Sequence, residues 1–319
     1  MSDGARGVVA LSGGIGGAKL ALGLYRTLPA DRLMVVCNTG DDFEHLGLSI
    51  SPDLDTVLYT LAGIANPETG WGRANETWTF MQTLEQLGGE TWFRLGDADL
   101  ATHVERTRRL AAGESLSAIS DDFCRRLAVR ARLVPMCNEP VRTMVHTQDG
   151  ILPFQRYFVE RRCEPRIIGF EFRGAAEANP TRTLREALES ESLEAVVICP
   201  SNPFISIDPI LAVPGIRAAI AACRAPVVAV SPIIGGRAVK GPTAKMMAEL
   251  GVPASARAVA EHYGDLLDGF VLDHADADQA RAIDVPCLAT QTLMRSGDDK
   301  SRLAAEVLAF AHRIGETLR

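Results

Sequence analysis

The feature that most constrains this chain is a short apolar run, Val8-Val-Ala-Leu11, that breaks into Ser12-Gly-Gly-Ile-Gly-Gly17 and passes into a helix-period stretch over 18–26. An uninterrupted apolar run of this length suits a strand buried on both faces. A turn leading straight into a helix is how such a strand begins the crossover of a parallel sheet. Similar runs follow at 33–37, 195–199, 226–230, 269–273 and 285–289, with helical stretches at 54–62 and 300–317. The expected fold is α/β: a doubly wound, Rossmann-like, mostly parallel sheet. Residues 1–63 and 181–319 would form the nucleotide-binding core, and 64–180 an insertion. The insertion reads as helical at 75–87, 99–112 and 117–127. Alternating stretches at 131–136, 142–146, 154–159 and 167–172 then suggest antiparallel strands or hairpins.

Ligands of doubly wound sheets bind beyond the carboxyl ends of the strands. Four chemistry-bearing loops follow predicted strands, at 12–17, 38–55, 200–206 and 231–240, so a parallel sheet brings them to one edge. Gly13, Gly14, Gly16 and Gly17 expose backbone N–H groups to a phosphate at the positive end of a helix, or simply make a tight packing turn. Lys19 stands where a dinucleotide fingerprint requires its third glycine, which disfavours an NAD(P)-dependent oxidoreductase; the P-loop pattern also fails. Asn38-Thr-Gly-Asp-Asp42 and Ser49-Ile-Ser-Pro-Asp-Leu-Asp-Thr56 place Asp41, Asp42, Asp53 and Asp55 as candidate ligands for Mg2+, a cation held by carboxylates together with substrate phosphates. Asp53 could instead cap the next helix. Ser201, Asn202, Gly235 and Lys240 offer groups suited to a nucleotide, and His45 lies inside the aspartate loop. No nucleophilic triad is readable, which favours direct group transfer between two positioned substrates.

Composition removes several alternatives. The net charge of −7 carries no basic face for nucleic acid, and Arg106–Arg109 reads as a solvated helix face. The seven cysteines lack C-x-x-C spacing, pointing to neither a disulfide framework nor a zinc site. Without a signal-like segment or an 18-residue apolar window, the expected location is cytoplasmic and no membrane partner is expected. A homodimer is the assembly expected on general grounds.

The motifs Gly13-Gly-Ile-Gly-Gly-Ala-Lys19, Asn38-Thr-Gly-Asp-Asp42, Ile50-Ser-Pro-Asp-Leu-Asp-Thr56, Pro200-Ser-Asn-Pro203 and Ser231-Pro-Ile-Ile-Gly235 resemble the 2-phospho-L-lactate transferases (CofD/FbiA type) of coenzyme F420 biosynthesis. The resemblance extends in order along nearly the whole chain. It implies a magnesium-dependent transferase moving a phospho-three-carbon acid (2-phospholactate, phosphoenolpyruvate or 3-phosphoglycerate) from its guanosine diphosphate ester to the ribityl hydroxyl of the deazaflavin Fo, with release of GMP. On that basis Asp53 and Asp55 are catalytic, Asp53 as a metal ligand and Asp55 beside Fo, with Asp41 and Asp42 as further metal ligands. The glycine turn, Asn38, Ser201, Asn202, Gly235 and Lys240 border the guanine nucleotide. One departure is Ala98, where the resemblance implies Arg between two aspartates; Arg94 is the residue expected to substitute for it in space. A nucleotide-sugar-binding regulator of a related glycine-turn family, lacking the Ser-Pro-Asp-Leu-Asp-Thr element, is the alternative.

Overall fold

A computed structural model describes residues 7–317. Seven strands build its main sheet: β1 (Gly7–Ser12), β2 (Leu33–Cys37), β3 (Arg132–Pro135), β4 (Leu193–Ile198), β5 (Val227–Val230), β6 (Gly269–Asp273) and β7 (Cys287–Thr290). They lie in the order β7-β6-β5-β4-β1-β2-β3, every neighbouring pair parallel. This is the doubly wound arrangement, and its switch point falls between β1 and β4.

The apolar runs are continuous because the sheet is covered on both sides. In β1, Val9 and Leu11 enter one apolar cluster while Val8 and Ala10 enter the other. Full burial of such aliphatic side chains is worth about 1.5–3 kcal/mol each. The second cluster is closed by α1 (Gly14–Thr27), α2 (Pro52–Ala62) and the C-terminal helix Gly297–Thr317. Helix α1 packs against both of the others.

Two stretches expected to be antiparallel are not. The stretch at 131–136 contains β3, which pairs in parallel with β2 at the sheet edge, Val35 opposite Leu133. Its Leu133-Val134 core is buried like the other parallel strands. The stretch at 154–159 runs into a π-helical turn, Arg156–Glu160. Its aromatic residues have helical spacing: Phe154 and Tyr157 are buried, and Phe154 stacks on Phe158 at 5.3 Å between ring centres. The antiparallel sheet consists of Arg142–Thr147 between Gly150–Pro153 and Ile167–Arg173. Residues 64–180 thus supply this small sheet and also the edge strand of the main one. The three predicted helices of that segment occur as Thr79–Gln86, Asp97–Ala111 and Leu116–Arg126. Among the described residues no single helix is long and apolar enough to cross a membrane.

Candidate functional site

A cleft of about 670 Å3 opens over the carboxyl ends of the strands. All four loops singled out in the sequence reach it: Gly13, Gly14 and Gly16 from the first, Asp41 and Asp53 from the second, Ser201 and Asn202 from the third, and Lys240 from the fourth.

Helix α1 begins at Gly14, so most of the predicted turn lies inside the helix. The glycines consequently do different work. A Cβ on Gly16 would lie 2.3 Å from the Pro200 carbonyl oxygen, so this glycine lets α1 close onto the loop after β4. Gly14 has φ of +63° and open space where a Cβ would project, which suits a backbone facing a ligand. Ser201 joins the two loops, its Oγ accepting from Gly13 N–H at 3.1 Å and donating to Gly13 O at 2.8 Å.

Asp53 meets the glycine turn directly. Its Oδ1 accepts from Gly14 N–H at 2.6 Å and its Oδ2 from Asn38 Nδ2 at 3.0 Å. Asn38 is held in turn by donating to Ile205 O and accepting from Gly40 N–H. The carboxylate therefore sits at the positive end of α1, where the helix dipole favours an anion. Burial still dominates and pushes its pKa up to about 6, against the opposing hydrogen bonds from Gly14 and Asn38. Burial, with the neighbouring Asp53 charge, raises Asp41 well above the carboxylate range. Burial also lifts Asp42 to about 7, although Ser51 donates to its Oδ2 at 2.8 Å. Asp41 Oδ1 and Asp42 Oδ1 are buried without a hydrogen-bond partner. These orphaned acceptors beside a third desolvated carboxylate fit a hard cation. Among the described residues no three His, Cys, Asp or Glu side chains form a ready-made metal cage. Mg2+ does not require one, because substrate phosphates and water complete its shell.

Several sequence-derived candidates lie elsewhere. Asp55 does not line the cleft; it is buried against Arg106, whose Nη1 donates to Oδ2 at 3.0 Å and whose Nη2 pairs with Oδ1. The cause is helical geometry. With α2 starting at Pro52, Asp53 and Asp55 are two residues apart on one helix and cannot share a face. Arg106 is correspondingly 2% exposed, which overturns its reading as part of a solvated face. Asn38, Asp42, Gly17 and Gly235 sit behind the lining; Gly235 donates its N–H to Asp276. His45 is buried among Phe43, Trp92 and Phe93. Ala98 does not reach the cleft, whereas Arg94 does, with its guanidinium 4.2 Å from the Trp78 ring centre.

The aromatic part of the lining is formed by Trp71, Trp92, Phe93, Phe154 and Phe158, whose convergence on one cleft the sequence did not show. These residues come from three separated segments, so no local spacing signals their convergence. Lys19 also lines the cleft, although its place in a broken fingerprint had suggested only what the motif is not.

Fold and site together define a doubly wound α/β protein with a glycine turn bonded to a buried carboxylate, an acidic corner and a largely apolar cleft. Residues 8–295 match the family model described as 2-phospho-L-lactate transferase CofD. A phosphoenolpyruvate transferase of Streptomyces coelicolor is 43% identical over 97% of this chain and 99% of its own. A 2-phospho-L-lactate transferase of Methanosarcina mazei is 39% identical over 95% of this chain and all (100%) of its own. The chain belongs to the CofD family of 2-phospho-L-lactate transferases and is a transferase of coenzyme F420 biosynthesis. A crystal structure of a UPF0052 family member from Bacillus halodurans, 17% identical, superposes with a TM-score of 0.64 over 96% of this chain and 100% of that one. That likeness extends to the fold alone.

Proposed function

We propose that this transferase moves a phospho-three-carbon acid from its guanosine diphosphate ester to the ribityl hydroxyl of the deazaflavin Fo and releases GMP. The observation that carries the reading is the Asp53 carboxylate bonded to Gly14 N–H, with Asp41 beside it, at the mouth of the glycine turn. Asp41 and Asp53 would hold Mg2+, which supplies positive charge to the phosphate oxygens during transfer. Helix α1 and Asn38 fix the Asp53 carboxylate. Gly14 leaves room for the diphosphate to approach the backbone. The aromatic lining offers flat apolar surface to a deazaflavin ring and keeps water from competing with the acceptor hydroxyl.

The test is GMP release from purified protein given Fo, Mg2+ and each guanylylated three-carbon acid. The phosphoenolpyruvate ester comes first, because relatives 42–43% identical are named phosphoenolpyruvate transferases. No GMP from any of the three donors, with folding verified, sinks the proposal. Thermal stabilisation by UDP-sugars but not by GDP or Fo would favour the regulator reading instead.

Two further results are expected. Gly14→Val places a branched side chain in the open space at φ +63°. It should weaken GDP binding by at least about tenfold, roughly 1.4 kcal/mol; unchanged affinity by calorimetry would reduce the turn to a packing device. The second concerns pH. The raised carboxyls of Asp53 and Asp42, about 6 and about 7, bind protons in the folded state that the unfolded chain releases near its ordinary value of 3.8. Their contribution to stability is therefore fully present below that value and is lost as pH rises through 6 to 7. Mg2+ held at Asp53 competes with the proton there, so it should raise the melting temperature more at pH 8 than at pH 5.5. At a hundredfold excess over Kd the gain is about 2.7 kcal/mol. An equal shift at both values would remove Asp53 from the metal site.

A further inference from the structure

We propose that Lys19, assisted by Lys240, binds the phosphate that departs with the nucleoside and neutralises the charge it gains as the diphosphate bond breaks. This inference rests on the transfer reading and assigns its leaving-group side.

The argument begins with helix α1. Its first residue, Gly14, faces α2 through Asp53, whereas Lys19 reaches toward the C-terminal helix and donates from Nζ to Met294 O at 3.0 Å. The two ends of the cleft are therefore unlike in charge. Asp41 and Asp53 enter from the segments following β2, and Lys19 and Lys240 enter from α1 and the loop after β5, beside the loop that follows β7. Lys240 lines the same cleft, with Nζ donating to Thr69 O at 3.2 Å.

Both ammonium groups have carbonyl oxygens as their hydrogen-bond partners. Neither forms an ion pair with a carboxylate among the described residues, although the chain carries 40 Asp and Glu against 33 Lys and Arg. Lys19 is half-buried, and desolvation together with the Lys240 and Lys300 charges lowers its pKa. A desolvated, unneutralised cation crowded by like charge on a cleft wall is an electrostatic cost that an anionic ligand removes. Lysine suits a phosphate as a point charge, without requiring the planar geometry of a carboxylate pair.

The chemistry places that anion. The acceptor hydroxyl oxygen bonds to the phosphorus carrying the three-carbon acid, and its proton is released to solvent. The bond from that phosphorus to the bridging oxygen breaks. The electron pair stays on the bridging oxygen, which becomes a terminal oxygen of the nucleoside monophosphate. Charge on the departing phosphate thus grows along the reaction, and a cation there acts more strongly on the transition state than on bound donor. The acidic corner serves the transferring phosphate, leaving the lysine end for the departing one.

The experiment compares Lys19→Met, Lys240→Met and Lys19→Arg with the unaltered chain in GMP, GDP and guanosine binding and in turnover. Lys19→Met is expected to weaken GMP binding by about tenfold or more and to lower kcat by at least as much, while guanosine affinity stays the same. Lys19→Arg should restore part of both losses. Lys240→Met, at an exposed position, should show a smaller loss of the same kind. If the unaltered chain binds GDP and releases GMP but the methionine variants match it, the lysine assignment is wrong and the transfer reading stands. If the unaltered chain neither binds guanine nucleotides nor releases GMP, both fall together. Equal losses for guanosine and GMP, or a Lys19→Met protein that melts early while Lys240→Met is unaltered in GMP binding, would also overturn the assignment.

Discussion

Asp53→Asn should lower turnover by at least about 100-fold while leaving the fold intact. The amide oxygen can still accept from Gly14 N–H at the start of α1, so the glycine turn keeps its main tie to α2. What disappears is the negative charge. The amide nitrogen also opposes the Asn38 Nδ2 donor, exchanging one hydrogen bond for a local repulsion. Against that loss, the buried carboxyl is costly to ionise, as its pKa of about 6 records. At pH 8 without divalent cation the variant should therefore melt no earlier than the unaltered chain, and with Mg2+ it should gain less. That outcome would mark a residue kept for function at a cost in stability, a pattern common at active sites. Retained turnover would remove Asp53 from the chemistry and leave it as a link between two helices.

Arg106→Met should have the largest effect on stability, about 3–5 kcal/mol. It strands the Asp55 carboxylate in a pocket where both partners are nearly inaccessible, with side-chain exposures of 3% for Arg106 and 7% for Asp55. The guanidinium also donates to Ser49 O at 3.3 Å, tying Asp97–Ala111 to the strand that leads into α2. The double variant Arg106→Met/Asp55→Leu replaces both charges with apolar groups and should recover most of the loss. Denaturant unfolding measures both. Turnover of the double variant then decides the resemblance-based role of Asp55. Activity near normal in a refolded double variant makes Asp55 structural, whereas lost activity in a stable protein restores it to the reaction. A single variant as stable as the original would show that the pair contributes little to folding.

The part of this molecule legible in its residues is the part coded locally. Continuous four- or five-residue apolar runs mark strands buried on both faces. Their regular alternation with helices sets a parallel sheet, which in turn brings the loops bearing Gly14, Asp53, Ser201 and Lys240 to one edge. Where the reading failed, the period was short or mixed. The stretch that contains β3 resembled its antiparallel neighbours because Pro135 ends a run only four residues long. The Phe154 segment alternates like a strand over a few residues but packs at helical spacing. Helix phase sets the second aspartate of Ser-Pro-Asp-Leu-Asp-Thr apart from the first: with α2 starting at Pro52, Asp53 meets Gly14 while Asp55 meets Arg106.

The sequence by itself determined the parallel sheet apart from its β3 edge, the gathering of the chemistry-bearing loops at one end of the strands, the family and the acidic and glycine-rich character of the cleft. Those follow from hydrophobic period, chain order and residue chemistry, which are properties of neighbours along the chain. Tertiary structure alone decided that Asp53 faces Gly14 while Asp55 faces Arg106. It also decided that Gly16 lets α1 close onto the Pro200 carbonyl, and that separated aromatic residues and Lys19 share one cavity. Those outcomes depend on helix phase and on contacts between residues far apart in sequence. A rotation of 100° per residue, or a closer approach of one loop, reverses them without changing the local pattern.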